Sequence, residues 1–253
     1  MREGEYGRLD ALDESLWWLA GLRELIVALL DRHVQAQDFT VLDAGCGTGG
    51  MLKRIGERFP RAVLHGLDYA EEACAFARRK SRAEIRFGSV ERLPWADASF
   101  DAVLSLDVLS GDALDPAQAI REFRRVLRPG GVLLLNLPAY QWLHSYHDRA
   151  THQSRRFTAG RVRDLCQPAG LEVLQLGYWN TLLFPLMVLR RKVWPLLAGE
   201  TPDNVAAPSD VQELPQPVNA LLGLPVALER ALIRRGVSLP FGGSVIAVAR
   251  RSS

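Results

Sequence analysis

The sequence predicts a doubly wound α/β fold, in which helices cover both faces of a mostly parallel sheet. Two observations carry this prediction. Short apolar runs alternate with helical patterns from residue 39 onward, and a glycine-rich turn, GCGTGG, joins the first apolar run to the helix that follows it. Strands that alternate with helices through short connections form parallel sheets with helices packed on both faces.

Seven strands can be assigned in order along the chain. They are FTVLDA, AVLHGLD, EIRFG, FDAVLSL, GVLLLNL, LEVLQLGYW and SVIAVAR. We expect helices over residues 12–30, 51–59, 71–80, 116–127, 159–169, 181–197 and 219–235, a polar, aromatic stretch over 140–157, and an exposed loop with prolines over 201–217.

The composition is that of an ordinary globular protein, since 48% of the 253 residues are hydrophobic and 24% are charged. A formal net charge of +2 gives no electrostatic argument for a nucleic-acid partner. The three cysteines lack metal-ligand spacing, which favours a reducing compartment. The N-terminal residues are too charged for a signal peptide, and no apolar run reaches the roughly 18 residues of a membrane span. We therefore expect a cytoplasmic protein.

The glycine turn predicts a ligand-binding loop. Gly45, Gly47 and Gly49 allow a tight turn and let a ligand approach free amides at a helix N-terminus. The G-x-G-x-x-G spacing of dinucleotide-binding proteins is also satisfied, so the glycines alone do not identify the ligand. Asp43, two residues before Gly45, would repel a pyrophosphate and attract an ammonium group. This favours S-adenosylmethionine, which carries an ammonium group and no phosphate, over NAD.

A second carboxylate supports an adenosine ligand. Asp68 ends the second predicted strand, where a carboxylate can accept hydrogen bonds from both ribose hydroxyls. Tyr69 follows it and can lie along the face of an adenine. The alternative is that Asp68 only caps the helix after it.

Four segments in this order and spacing resemble one enzyme family. VLDAGCGTG, GLD, GSVERLPWADASFDAV and REFRRVLRPGG are similar to the class I S-adenosylmethionine-dependent methyltransferases. Within that class they look most like the methyltransferase type 11-like group, which includes quinone-biosynthesis methyltransferases. The resemblance implies a Rossmann-like, seven-stranded sheet with an antiparallel last strand and a helical C-terminal insertion. S-adenosylmethionine is the implied cofactor, and S-adenosylhomocysteine the implied product.

The resemblance also implies which residues hold the cofactor. In the family, the position of Ser89 usually carries an Asp that accepts from the adenine amino group, and Ser89 offers one uncharged acceptor instead. The implied cofactor-binding residues are Asp43, Gly45, Cys46, Gly47, Gly49, Asp68, Tyr69, Ser89, Val90 and Asp107.

The flanking segments LWWL, PAYQWLHSYHDRATHQSRRF and LPFGGSVIAVAR are similar to those of a bacterial subgroup, although Leu16 and Thr151 replace residues of its pattern. We predict one domain in five parts. These are an N-terminal helical cap (1–38), a cofactor-binding core (39–137), an acceptor-side loop, helix and strand (138–180), a helical insertion or lid (181–240) and a final strand (241–253).

Residues that follow the fourth and fifth strands are expected to handle the acceptor, because ligands bind outside the carboxyl ends of parallel strands. Methyl transfer needs a base only when the nucleophile carries a proton that is hard to lose. We predict His147, beside Asp148, as the base, with His144 and Asp107 as alternatives. Each histidine can also be a buried hydrogen-bonding group or a solvated side chain.

Aromatic and arginine side chains are the predicted contacts to the acceptor. Aromatic rings can pack against it, and paired guanidinium groups can bind a carboxylate or phosphate on it. The predicted acceptor-binding residues are Trp17, Trp18, Tyr140, Tyr146, Arg155 and Arg156. We predict no metal site, since nothing fixes a geometry for the histidines near residue 147.

The segment TLLFPLMVLRRKVWPLL combines apolar residues with a short basic run. Four interpretations stay open: a lid or apolar wall of the acceptor pocket, ordinary core packing, a dimer contact, and peripheral contact with a membrane. Either a monomer or a homodimer is consistent with the sequence.

The sequence thus predicts an enzyme that transfers a methyl group to an oxygen, nitrogen or carbon of a small, partly apolar molecule, such as a specialised metabolite, a quinone or a lipid-linked acceptor. One alternative is a cyclase or rearrangement enzyme that binds S-adenosylmethionine without transferring its methyl group. Another is a non-catalytic binding protein of the same fold.

Overall fold

A computed structural model describes residues 5–13, 16–36, 38–194 and 215–252. The helices are α1 Glu5–Leu12, α2 Trp17–His33, α3 Gly50–Arg58, α4 Glu71–Lys80, α5 Pro116–Val126, α6 Tyr146–Ala150, α7 Ala159–Cys166, α8 Phe184–Val188 and α9 Gln216–Arg234, with a 3₁₀ turn at Gln141–Leu143 and a π-helical turn at Leu189–Val193. The strands are β1 Thr40–Ala44, β2 Val63–Asp68, β3 Glu84–Phe87, β4 Phe100–Leu106, β5 Leu127–Pro138, β6 Leu171–Trp179 and β7 Ser244–Arg251.

All seven strands form one sheet, in the order β3-β2-β1-β4-β5-β7-β6. The first five strands pair in parallel, and β7 runs antiparallel to both β5 and β6. The predicted sheet, including its antiparallel last strand, is therefore confirmed.

The sheet divides the core into two apolar layers. Successive residues of β1 point to opposite faces, so Val41 joins the layer under α2 and α3, while Leu42 joins the layer under α5 and α7. Both residues are fully buried. This two-sided burial explains why the parallel strands read as continuous apolar runs.

Several helix bounds differ from those predicted. The helix expected over 12–30 corresponds to α2, which begins at Trp17 and extends to His33, and α7 ends at Cys166, before the left-handed turn at Gly170. The helix predicted from residue 181 begins at Phe184. The reason is that the buried carboxylate of Glu229 accepts hydrogen bonds from the amides of Thr181 and Leu182, which holds this segment outside the helix.

Residues 201–214 of the predicted loop over 201–217 lie outside the described residues. The three cysteines are buried and unpaired by disulfides. None of the described helices is long and apolar enough to cross a lipid bilayer.

Candidate functional site

The loop after β1 adopts the conformation that its glycines predict. Gly45, Gly47 and Gly49 all have positive φ angles, of 98°, 51° and 86°. A Cβ on Gly45 would overlap the side chain of Val108, and one on Gly49 would lie 2.8 Å from the Cα of Ala77. Side chains larger than hydrogen would therefore open the loop.

Asp68 links this loop to the end of β2. Its Oδ2 accepts a hydrogen bond from the amide of Gly47 at 2.9 Å, and its Oδ1 accepts one from the amide of Ala70 at 3.0 Å. Burial raises the pKa of Asp68, although these backbone donors oppose the shift. Each oxygen keeps a further lone pair, and Asp68 lies on the wall of a large cavity.

Asp43 is a buried carboxylate whose Oδ1 has no hydrogen-bond partner among the described residues. Burial, followed by the charge of Asp68, raises its pKa from 3.8 to about 7. Asp43 is not on the cavity wall, but Gly45, two residues later, is. An enclosed acceptor without a partner fits a cationic donor better than a phosphate.

Two exposed residues, Tyr69 and Ser89, and two buried ones, Val90 and Tyr6, lie at the opposite end of the loop. Tyr69, Ser89 and Val90 line the cavity together with Tyr6 of α1. The Oγ of Ser89 accepts a hydrogen bond from the amide of Glu91 at 3.2 Å, so this hydroxyl closes a local turn. Two other predicted cofactor residues, Cys46 and Gly49, do not line the cavity and are instead part of the glycine loop behind its wall.

Asp107 lies on the cavity wall just after β4, with a positive φ of 60°. Both of its carboxylate oxygens are 3.0 Å from Nδ2 of Asn136, which donates to them. Oδ1 of Asn136 in turn accepts from Nε1 of Trp179 at 2.6 Å. Burial raises the pKa of Asp107 to about 7, opposed by the hydrogen bond from Asn136 and by the charge of Arg156.

Asn136 and Trp179 therefore form a buried chain that fixes the Asp107 carboxylate. The sequence places Asn136 at the crevice without predicting what it binds, and it predicts no role for Trp179. Asn136 lies two residues before the end of β5, and its neighbour in register on β4, Leu106, directly precedes Asp107.

His147 lies on the cavity wall, and the neighbouring Asp148 carboxylate also binds groups other than His147. The Asp148 carboxylate accepts hydrogen bonds from Nε of Arg156 at 2.8 Å and from the amide of Ser145 at 2.9 Å. Burial is the largest influence and raises the pKa of Asp148, but the charge and hydrogen bonds of Arg156, together with the charges of Arg191 and His147, hold the pKa below its usual range. Arg156 also donates to the carbonyl of Ala139, so this predicted acceptor residue is committed to a buried ion pair.

Four of the predicted acceptor-side residues lie off the cavity wall and contact other parts of the protein. The Arg155 guanidinium donates to the carbonyls of residues 111, 112 and 114. Tyr140 stacks on Tyr178 with ring centroids 5.2 Å apart. Nε2 of His144 is 3.1 Å from the carbonyl oxygen of residue 153, and the hydroxyl of Tyr146 accepts from Nε of Arg190 at 3.3 Å. By contrast, Trp17 and Trp18, at the start of α2, do line the cavity.

The cavity has a volume of about 1030 Å³ and joins two chemically different ends. One end holds the glycine loop, Asp68 and Asp107. The other end is largely apolar, and its walls come from α2, α8 and α9. The apolar wall residues there are Leu16, Trp17, Leu183, Leu186, Met187, Val218 and Leu222. Ligand pockets commonly hold about 300–1,000 Å³, so this volume suits a cofactor together with a second molecule.

The described residues hold no group of three or more His, Cys, Asp or Glu side chains that could bind a metal ion. His147 and His152 both line the cavity, whereas Asp148 faces the buried arginine.

Comparisons with known proteins agree with this geometry. Residues 42–135 match the family model described as a methyltransferase domain. A Mycolicibacterium smegmatis protein named "Probable S-adenosylmethionine-dependent methyltransferase" is 34% identical over 168 residues, which is 65% of this chain and 63% of that protein. The ubiquinone biosynthesis O-methyltransferase of Neisseria meningitidis serogroup C is 25% identical over 198 residues, covering 68% of this chain and 82% of that enzyme. This chain thus spans 63% of the length of the Mycolicibacterium relative.

Among solved structures, the [4+2]-cyclase SpnF superposes with a TM-score of 0.59 at 23% identity, covering 90% of this chain and 80% of that chain. At this identity the likeness concerns the fold. The residues that match the family model include the glycine loop, Asp68 and Asp107, which also form the cofactor end of the cavity. Residues 42–135 are thus similar to a methyltransferase domain family, the Mycolicibacterium relative is named as S-adenosylmethionine-dependent, and the seven-stranded sheet agrees with both similarities.

Proposed function

We propose that this protein transfers a methyl group from S-adenosylmethionine to an oxygen, nitrogen or carbon of a small, largely apolar molecule. One observation carries the proposal: a single cavity runs from the glycine loop and Asp68 to the apolar side chains of α8 and α9. A ligand at the loop end and a ligand at the apolar end would share one enclosed space.

The cofactor end supplies groups that match the parts of S-adenosylmethionine. Asp43 would pair with the ammonium group, and Asp68 would accept hydrogen bonds from the ribose hydroxyls. Tyr69 would lie along the adenine, with Ser89 and Val90 nearby. When bound, the cofactor supplies a methyl group activated by a positively charged sulfur.

The acceptor end is built to bind apolar surface and to exclude water. Trp17 and Trp18 stand on one side, and the side chains of Leu183, Met187 and Leu222 stand on others. Holding a nucleophile in line with a reactive methyl group, away from water, supplies much of the rate enhancement in such displacements.

Two side chains on the wall can take a proton from the acceptor. Asp107, with a pKa of about 7, is held in place by Asn136, and His147 is carried on α6. A group with a pKa near the working pH is the most effective base. We favour Asp107, because both of its oxygens are fixed by the same amide, and His147 is the alternative.

The test uses the purified protein and S-adenosylmethionine labelled in its methyl group. A panel of lipophilic phenols and hydroquinones is compared with polar amines and amino acids of similar size. We expect labelled product only from the apolar compounds, with one S-adenosylhomocysteine released per product. Leu222→Glu should abolish transfer and keep cofactor affinity, whereas Val63→Glu, which changes an exposed residue at the start of β2, should alter neither.

Three results would contradict the proposal. Transfer to polar compounds alone would exclude an apolar acceptor. Binding of NAD in preference to S-adenosylmethionine would exclude the assigned cofactor contacts. Product formed without S-adenosylhomocysteine would instead support a rearrangement enzyme, the class of activity named for the structurally similar SpnF.

A further inference from the structure

The helices that wall the acceptor end of the cavity expose apolar side chains to the outside. Leu221, Leu224 and Leu228 form a stripe along α9 at helical spacing and are 66%, 66% and 56% exposed. Leu189 and Trp194 are similarly exposed in and just after the π-helical turn. We call this set of five residues the apolar rim. Exposed apolar residues scattered singly are ordinary, but a contiguous patch marks a surface that binds something.

The outer apolar surface continues into the cavity. Leu186 and Val218 belong to the cavity wall, yet they are 53% and 43% exposed. They come from the same two segments as the apolar rim, α8 with its π-helical turn and α9. The outer apolar surface and the apolar wall of the cavity are therefore formed by the same segments.

In the described residues of α8, the π-helical turn and the first part of α9, every charged side chain is basic. Arg190, Arg191 and Lys192 occupy the π-helical turn next to Leu189. No Asp or Glu occurs in residues 182–194 or 215–228. Nζ of Lys192 donates to the carbonyl of residue 144 at 2.9 Å, which holds the basic turn against the segment before α6.

An exposed tryptophan flanks the turn on the other side. Trp142 is half exposed and lies edge-on to Phe184, at the start of α8, with ring centroids 6.1 Å apart. Tryptophan side chains at the edge of an apolar surface, together with arginine and lysine, are typical of proteins that rest in the headgroup region of a bilayer. A second protein would be expected to supply acidic groups in matched positions, whereas an anionic lipid surface needs no such match.

We propose that the apolar rim and its basic turn dock on an anionic membrane surface, so that the mouth of the cavity opens toward the bilayer. The apolar side chains would enter the headgroup boundary, and the positive charge of the basic turn would attract lipid phosphates. Resting on the function proposed above, this makes the methyl acceptor a molecule dissolved in or anchored to the bilayer.

The test measures cosedimentation of the full chain with vesicles, in the absence of cofactor and acceptor. Vesicles of phosphatidylcholine alone are compared with vesicles containing about one third phosphatidylglycerol. We expect binding to the anionic vesicles, loss of most of that binding at about 1 M salt, and weak binding to the neutral vesicles. The double variant Leu221→Glu/Leu224→Glu should bind at least about ten-fold more weakly.

The control is Val63→Glu, which adds the same charge at a residue that is 53% exposed at the start of β2. Unchanged affinity for S-adenosylmethionine would show that each variant is folded. Absence of binding to anionic vesicles, or equal binding by the double variant, would overturn the proposal. A dimer in solution that the double variant converts to a monomer would also overturn it, because the apolar rim would then join two copies. Vesicle binding needs no turnover, so it can be read even if methyl transfer is never observed.

Discussion

Replacing Asp43 by Asn tests the contact on which cofactor recognition depends. The change keeps the size of the side chain and removes its negative charge. Asp43 is buried at the end of β1, and its Oδ1 has no partner among the described residues. We therefore expect the variant to fold and to bind S-adenosylmethionine poorly.

The expected loss of affinity for S-adenosylmethionine follows from the kind of hydrogen bond that Asp43→Asn removes. A hydrogen bond to a charged group contributes about 1.5–3 kcal/mol, and each 1.4 kcal/mol changes an equilibrium constant ten-fold. The dissociation constant of S-adenosylmethionine should rise about 10- to 150-fold in Asp43→Asn. Isothermal titration calorimetry at pH 7.5 measures it. Asp101→Asn, at the opposite end of the neighbouring strand β4, is the matched control.

The pH dependence of binding gives an independent measure of the same contact. With a pKa of about 7 in the free protein, Asp43 is protonated below that pH and cannot pair with an ammonium group. Affinity should therefore fall by up to about ten-fold per pH unit below 7. It should also fall above about pH 8, where a free α-amino group loses its proton. In Asp43→Asn the acid side of this profile should flatten.

Without ligand, the same substitution should stabilise the protein at alkaline pH. The raised pKa means that folded Asp43 holds its proton more tightly than unfolded Asp43. The favourable contribution of Asp43 to the free energy of unfolding is therefore complete below pH 3.8 and is lost as the pH rises through about 7. A pKa difference of this size lowers the free energy of unfolding by at most roughly 4 kcal/mol at pH 8. Urea unfolding of the ligand-free protein and of Asp43→Asn would measure it.

One result would refute this reasoning. If Asp43→Asn bound S-adenosylmethionine within about two-fold of the unmodified protein, with the same pH profile, the charge at position 43 would not meet the ammonium group. The ligand-free stabilities would then show whether Asp43 is ionised at all.

Three further substitutions test other parts of the site. Asn136→Leu removes the donor that lowers the pKa of Asp107, so the acid limb of methyl transfer should move to higher pH by about one unit; a pH–rate profile measures this. Gly45→Ala adds a methyl group at a φ of 98° where it overlaps a neighbouring side chain, and should cost more than about 1 kcal/mol in urea unfolding and weaken cofactor binding. Arg156→Met leaves the buried Asp148 carboxylate without its partner and should cost about 3–5 kcal/mol of stability.

Each of these expectations has its own contrary outcome. An unshifted pH profile in Asn136→Leu would favour His147 as the base. Normal stability and cofactor affinity in Gly45→Ala would mean that the loop adapts to a side chain. If Arg156→Met lowered turnover without lowering stability, Arg156 would contact the acceptor, as the sequence first suggested.

The sheet could be predicted because its strands are buried on both faces. Runs such as VLDA and GVLLLNL have no polar alternation and are bounded by glycine or charged residues, so their ends are well marked. The loop could be predicted for a related reason, since only glycine readily adopts the positive φ angles seen at Gly45 and Gly49. These features depend on local sequence.

The acceptor side was harder to predict because its contacts join residues that are distant along the chain. The adjacent His147 and Asp148 suggested a pair, but Asp148 closes a capping box with Ser145 and turns to Arg156. The indole of Trp179 reaches Asn136 from β6, two strands away from β5 in the sheet. No local pattern encodes a contact that depends on strand order.

The two ends of the cavity are encoded by different stretches of the chain. The cofactor end is assembled largely from residues 45–114, whereas the acceptor end draws mainly on α2 and on residues 138–222. Mutations that reshape the acceptor pocket therefore need not disturb the donor site. We expect selectivity to diversify by exchange of the segment after β5 between related enzymes. That boundary is where we would place the crossover in a chimera designed to methylate a different compound.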